Sequence, residues 1–157
     1  MDVVQHNFLG KEGFEVKEIP AKDTYPIRHA ELRKGRPFED CAFKGDMDQS
    51  TIHIGGFHGN SLISVATLLK LGSEAIKIRH AYQLRGMAVL EKYQGKGIGK
   101  ILLTFGESLV KHKGATGIWM NARITALDFY RNSGYKTIGE VFEVPGIGPH
   151  HVMFKKL

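Results

Sequence analysis

The chain has 157 residues, enough for one domain with a substantial core, and its 42% apolar and 24% charged residues are those of an ordinary globular protein. It holds no apolar run of about 18 residues and does not open on a basic stretch followed by an apolar one, so neither a helical membrane span nor a secretory leader is expected; its one cysteine, Cys41, excludes an internal disulfide and fits a reducing, cytoplasmic setting. The net charge of +6 is uneven: residues 1–60 carry 8 Lys/Arg against 10 Asp/Glu, whereas residues 61–157 carry 14 against 6, so a polyanion is expected to meet the second part.

No repeat, low-complexity tract or Pro/Ser-rich linker divides the chain, so residues 1–157 read as a single domain. Phe14 to Ile19 alternates imperfectly and predicts a first strand, closed by Pro20. Thr24 to Arg33 predicts a short helix ending before Gly35 and Pro37. Phe38 to Ser50 is charged and reads as a loop; Asp46 and Asp48 in it are solvated charges first, and only a faint hint of a cationic ligand. Thr51–Phe57 and Ser61–Leu69 flank His58-Gly59-Asn60, the pattern of a β-hairpin. Ala81 to Leu90 predicts a further strand with Gly86 inside it, where a glycine marks a bulge or a close approach.

The most informative segment follows. Gln94-Gly95-Lys96-Gly97-Ile98-Gly99-Lys100 lies between that strand and a helix whose apolar residues Ile98, Ile101, Leu102, Phe105, Leu109 and Val110 recur at helical spacing. Strand, glycine turn and helix N-terminus together make an anion cradle, most often for phosphate. Two common owners fail on spacing. From Gly95 and Gly97 the third glycine of a dinucleotide fingerprint falls on Lys100. A nucleoside-triphosphate loop ending at Gly99-Lys100 would need a glycine at Gln94 and a hydroxyl residue at Ile101. Beyond the helix, closed by Lys111-His112-Lys113-Gly114, come a buried strand Gly117–Ala122 and a second helix. Thr125 and Asp128 have capping-box spacing at its start, and Gly134 stops it. Tyr135–Val144 and His151–Leu157 predict two closing strands joined by Pro145-Gly146-Ile147-Gly148-Pro149. The fold class is α+β, an α/β sandwich with a mixed, mostly antiparallel sheet flanked by helices.

The spacing Q/R-x-x-G-x-G, met by Gln94, Gly97 and Gly99, resembles that of the GNAT superfamily of acetyl-CoA-dependent N-acetyltransferases. Three further segments resemble the family as well. These are Met87-Ala88-Val89 before the loop, Ala126 to Tyr135 with Phe129-Tyr130 inside it, and Gly139–Phe142 with Gly148–Met153. The last pair is similar to the ending of small bacterial members with unassigned acceptors. The resemblance covers residues 80–157 closely and the first half in element order only. It implies acetyl transfer from acetyl-CoA to a primary amine on a small molecule or peptide, without a metal. By the family's habits a homodimer is also expected. It further implies a donor site of Met87, Ala88, Val89, Gln94, Gly95, Lys96, Gly97, Ile98, Gly99 and Lys100. Where many members carry a cofactor-binding Asn this chain has Arg123, with Asn121 two residues earlier as the substitute.

The chemistry needs a neutral amine, a base, an oxyanion donor and an acid for the departing thiolate. By the resemblance Tyr130 is the general acid, with Phe129 beside it read as the core residue. For the base His53, His58, Glu140, Glu143, His150 and His151 all stand open, with His150 ahead because it follows the Gly148-Pro149 turn. Adjacent His150 and His151 alternate in facing on a strand and are poorly spaced for a metal. Two other readings compete: an acyl-CoA-binding module without catalysis, and a small basic nucleic-acid-binding protein. Scattered lysines without interleaved aromatics speak against the latter, and neither a nucleic-acid nor a membrane partner is expected.

Overall fold

The computed structural model describes residues 4–8 and 11–157, with side chains from Gly13 onward. Among these residues the chain order is β1 (Val4–Phe8), β2 (Lys11–Glu18), α1 (Ala21–Glu31), β3 (Ile52–His58), β4 (Ser61–Lys70), β5 (Ala81–Val89), α2 (Ile98–His112), β6 (Gly117–Arg123), α3 (Leu127–Arg131), β7 (Lys136–Val144) and β8 (Gly148–Lys156). Short 3-10 turns occupy Phe38–Cys41, Glu91–Tyr93 and Ile124–Ala126. One eight-stranded sheet runs β1-β2-β3-β4-β5-β6-β8-β7. Only β5 and β6 pair in parallel; the other neighbours are antiparallel. This is the α+β sandwich that the element order predicts.

The apolar stripe of α2 covers one face of the sheet. Leu102, Leu103, Phe105 and Val110 are buried with Phe14, Ile54, Leu68 and Ile118, and a Cβ on Gly106 would lie 3.0 Å from Leu68, so the helix backbone comes in close there. On the opposite face α1 lays Ile27 over Val65 and Ala88. The helix starts at Ala21 rather than Thr24 and tolerates Pro26 in its interior. Proline removes one helix hydrogen bond, and burial of Thr24, Ile27 and Arg28 holds the segment helical nonetheless.

The pairing of β5 with β6 stops early. Ala81, Tyr82 and Gln83 align with Gly117, Ile118 and Trp119, and no register continues beyond. From there β5 stays with β4 while β6 follows β8 from Met120↔Met153 to Arg123↔His150. The two central strands therefore part, and a crevice opens between them. At its edge β5 bulges. Val65 faces Ala88 and Thr67 faces Arg85, which leaves Gly86 and Met87 without register partners. Gly86 has φ +59, and a Cβ there would stand 3.0 Å from Arg28 Nε and 3.1 Å from the Phe43 ring. The bulge that the glycine predicts is present, and both backbone and space require glycine.

Beneath the bulge lies a buried ion pair. Arg28, fully buried, donates to both carboxylate oxygens of Asp46 at 2.6 and 3.1 Å, to the Cys41 carbonyl at 2.8 Å and to Thr67 Oγ1 at 2.8 Å. Thr67 in turn is 2.7 Å from His53 Nδ1, and His53 Nε2 donates to the Asp46 carbonyl at 2.8 Å. The Phe43 ring lies 3.9 Å from the Arg28 guanidinium carbon. Asp46 is thus a structural anion and not the solvated charge, or the ligand for a cation, that its loop suggests in sequence.

The capping box is also absent. Thr125 falls inside the 3-10 turn, α3 begins at Leu127 without a side-chain cap, and it spans five residues.

Removing one partner of a buried ion pair leaves the other charge uncompensated, at a cost of about 3–5 kcal/mol. Asp46→Ala should accordingly lose stability of that order in urea denaturation, while the double change Arg28→Met with Asp46→Leu should lose clearly less.

Candidate functional site

Two cavities meet at the crevice. The first, about 740 Å³, is lined by the glycine segment (Gln94, Gly95, Gly97, Ile98, Gly99, Lys100), by Met87, Ala88 and Val89 of β5, and by Phe129 and Tyr130 of α3. The second, about 260 Å³, lies between Leu84–Met87 of β5 and Met120–Arg123 of β6, with Arg33 and Phe43 on one side and His150 on the other. They share Leu32, Met87, Ala126 and Tyr130.

The glycine segment is built as its spacing demands. Gly95 and Gly97 take φ +75 and +82 and face open space, so it is their backbone, not crowding, that requires glycine. Gly97 caps α2, whose first internal hydrogen bond is Ile101 N–H to the Gly97 carbonyl. The amides of Ile98, Gly99 and Lys100 precede that bond and carry the positive end of the helix dipole. Gly99 has a different reason: a Cβ would meet the Phe129 ring at 3.2 Å. Gln94 does not project into open space. Its Nε2 donates to the Val89 carbonyl at 2.8 Å and to Glu31 Oε1 at 3.3 Å, tying the turn back to β5 and α1. Lys96 lines neither cavity, and Asn121 lines the smaller one, away from the glycine segment.

Phe129 is not the core residue that it reads as in the sequence, while Tyr130, though buried, faces both cavities. Phe129 is 36% exposed and covers Gly99, whereas Tyr130 is 8% exposed and sits where both cavities meet. In a five-residue helix the sequence holds too few turns to show which face is apolar. Tyr130 Oη lies 3.7 Å from Met87 Sδ, and burial pushes its hydroxyl up to about 12. The group holds its proton throughout the neutral range.

The smaller cavity is cationic. Arg33, Arg85 and Arg123 line it, together with no Asp or Glu among the described residues. Burial, and after it the neighbouring Arg123, pulls Arg33 below the ordinary arginine range; burial does the same to Arg85, with Asp46 opposing and Arg28 adding to the fall. The hydrogen bonds of the three go to carbonyls: Arg33 and Arg123 to Leu32 at 3.0 and 3.2 Å, and Arg85 to Lys44 at 3.0 Å. Arg33 and Arg85 also stand 5.0 and 5.1 Å from the Phe43 ring. Asp46, the nearby carboxylate, is engaged by Arg28. Nothing in the sequence points to Arg33, and the one signal for Arg85 is its place beside Gly86.

His150 is buried, and its Nδ1 is 2.8 Å from the Gly148 carbonyl. A carbonyl only accepts, so Nδ1 carries the hydrogen, and in the neutral ring Nε2 keeps its lone pair. His151 donates from Nε2 to the Gly139 carbonyl at 2.8 Å. The other histidine candidates are placed elsewhere: both ring nitrogens of His53 are engaged in the Arg28 network, and His58 lies 3.1 Å from Tyr93 Oη. His58, Glu140, Glu143 and His151 line neither cavity. Among the described residues no cluster of three His, Cys, Asp or Glu is placed to hold a metal ion, and no helix is long and apolar enough to cross a membrane.

The family model of the GNAT acetyltransferase domain matches residues 40–157. Over 143 residues the chain is 39% identical to the uncharacterised N-acetyltransferase YitI of Bacillus subtilis, covering 91% of this chain and 96% of that one. Among solved structures, a suspected N-acetyltransferase from Lactobacillus plantarum superposes with a TM-score of 0.78 at 20% identity, over 93% of this chain and 99% of its own. An aminoglycoside 6'-N-acetyltransferase solved with coenzyme A gives 0.71 at 13%, over 90% and 96%. At those identities the two structures speak for the fold alone.

A tyrosine whose folded-state pKa is raised binds its proton more tightly than the unfolded chain does. Stability from Tyr130 is therefore complete below pH 10 and is lost as pH climbs from 10 toward 12, by roughly 2–3 kcal/mol. Tyr130→Phe should flatten part of the alkaline fall in Tm; Tyr135, raised mainly by burial with Glu107 adding to it, supplies the remainder in the same direction.

Proposed function

The chain belongs to the GNAT acetyltransferases, which move an acetyl group from acetyl-CoA to an acceptor, and from that premise we propose that this one acetylates a small amine bearing an acidic group, with Tyr130 and His150 moving the protons. The observation that carries the acceptor assignment is the smaller cavity: three arginines without a lining carboxylate among the described residues. A polyamine or other polycation would add like charge to an already repulsive cluster, whereas a carboxylate or phosphate accepts charge-assisted bonds from it. At about 260 Å³ the cavity also suits a small molecule better than a long peptide.

The larger cavity fits the donor. Its cradle of left-handed glycines and α2 amides suits a pyrophosphate, and Met87, Ala88 and Val89 offer a strand edge along the parted side of β5. Bound there, acetyl-CoA supplies an activated thioester carbonyl. The chain's own groups supply the rest. An amine with a pKa of roughly 8–10 arrives largely charged at pH 7, and His150 Nε2 is the lone pair in the cavity that takes its proton. The backbone at Gly86–Met87, outside the β4–β5 register, is the candidate N–H donor to the carbonyl oxygen. As the C–N bond forms and the C–S bond breaks, Tyr130 Oη gives its proton to the sulfur and recovers one from the nitrogen, which sheds its second proton as it becomes an amide; burial makes Tyr130 a weak acid, so the transfer accompanies the departure of the sulfur and does not precede it.

The reading is tested by CoA release over paired amines: amino acids, the same compounds as carboxamides, and spermidine. The acids should exceed their amides in kcat/KM by about tenfold or more, and Arg85→Gln or Arg123→Gln should collapse that ratio while leaving acetyl-CoA affinity in place. Spermidine preferred over the acids would overturn the acceptor assignment, and acetyl-CoA binding without turnover on any amine would leave an acyl-CoA-binding module instead.

Tyr130→Phe and His150→Gln should each lower kcat by about 100-fold with acetyl-CoA affinity nearly intact, measured by steady-state kinetics and calorimetry; an unchanged rate in either removes that residue from the proton path.

A further inference from the structure

Glu31, the last residue of α1, stands 60 residues before Glu91 in the chain and yet fastens the segment that leads into the glycines. Its Oε2 accepts the Glu91 N–H at 3.1 Å, and its Oε1 accepts Gln94 Nε2 at 3.3 Å. Glu91 opens the 3-10 turn before the glycines, so its N–H has no partner within that turn, and Gln94 closes the same turn. One carboxylate thus holds both ends of the turn, and it does so while lining the larger cavity. A negative charge on the wall of an anion cradle is unfavourable in itself. That it stands there is explained by the two hydrogen bonds it accepts.

The next two residues belong to the other cavity. Leu32 lines both, Arg33 lines the cationic one, and the Leu32 carbonyl accepts from Arg33 and from Arg123. Three consecutive residues therefore connect the glycine segment, the junction and two of the three arginines. Leu32 and Arg33 N–H both return to the Arg28 carbonyl, so the α1 end is a tight turn whose displacement carries all three side chains together.

We propose that Glu31 is a positioning residue that couples the two cavities: filling the glycine cradle fixes the turn at Glu91–Gln94, Glu31 transmits that order to the α1 end, and Leu32 and Arg33 are set for the acceptor. The proposal rests on the donor reading of the larger cavity, and its test separates the two. Coenzyme A is the probe, amide hydrogen exchange the readout, on the wild-type chain and on Glu31→Ala and Glu31→Gln. In the wild type, saturating coenzyme A should slow exchange at residues 91–100 and also at residues 32–36. In Glu31→Ala the slowing at 91–100 should persist, that at 32–36 should fall back to the free value, and the Kd for coenzyme A should rise about threefold to tenfold. Glu31→Gln, which retains one acceptor oxygen, should lie between.

Slowing at 32–36 that is unchanged in Glu31→Ala, or missing from a wild type that is slowed at 91–100, overturns the coupling alone. No slowing at 91–100 in the wild type overturns the donor reading and the coupling with it. A merely structural Glu31 would change the free-state exchange of both segments together, which the same data would display.

Discussion

Three residue pairs of parallel alignment between β5 and β6, and then none, is the constraint from which the rest of this molecule follows. A sheet whose strands remain paired has no interior opening. Here β5 is kept by β4 and β6 by β8, each on its far side, so the parted strands expose backbone and side chains to a shared gap without loss of the sheet. The bulge at Gly86–Met87 belongs to the same event. It removes two residues from the ladder where the strands diverge, and it needs glycine because Arg28 and Phe43 fill the space behind. Parting, bulge and buried ion pair form one unit.

That unit also determines the charge of the gap. Arg28 uses all four of its terminal N–H groups, on Asp46, Cys41 and Thr67, and leaves its Nε–H without a partner among the described residues. In doing so it occupies Asp46, the carboxylate close enough to oppose the fall at Arg85. Arg33, Arg85 and Arg123 remain as neighbours whose mutual repulsion is only softened by carbonyls and by the Phe43 ring. Like charges held this close are unfavourable for folding, and groups perturbed in this way cluster at functional sites.

Elements with long, regular patterns were legible in the sequence: the α2 stripe, the β3–β4 hairpin and the glycine segment stand where periodicity and turn residues put them, and the closing strands pair as expected, although β8 begins at Gly148, so that Gly148, Pro149 and His150 belong to the strand and not to the turn before it. The short ones were not. Thr125 and Asp128 satisfy a capping spacing, yet the chain turns first through Ile124–Ala126 and starts α3 too late for Thr125 to cap it. Phe129 and Tyr130 are neighbours in a single turn, and tertiary contact alone decides which is covered. The arginine cluster was invisible for a deeper reason: β5, β6 and the turn that ends α1 each contribute one member, and only the parting of the strands brings them to one cavity. Asp46 shows the same limit, because nothing local in a charged loop announces a partner 18 residues earlier.

Leu32, Met87, Ala126 and Tyr130 form the neck between the two cavities: three apolar side chains and one neutral phenol. A passage of that kind gives no foothold to an ion, so a charged group on either side is held back from it by desolvation. Leu32 belongs to that neck and also to the arginines, since Arg33 and Arg123 both donate to its carbonyl, so the passage and the cationic wall share one anchor. For the acidic amine proposed as acceptor, the separation between its acidic group and its nitrogen, more than the rest of its shape, would then decide whether the nitrogen arrives at the neck at all.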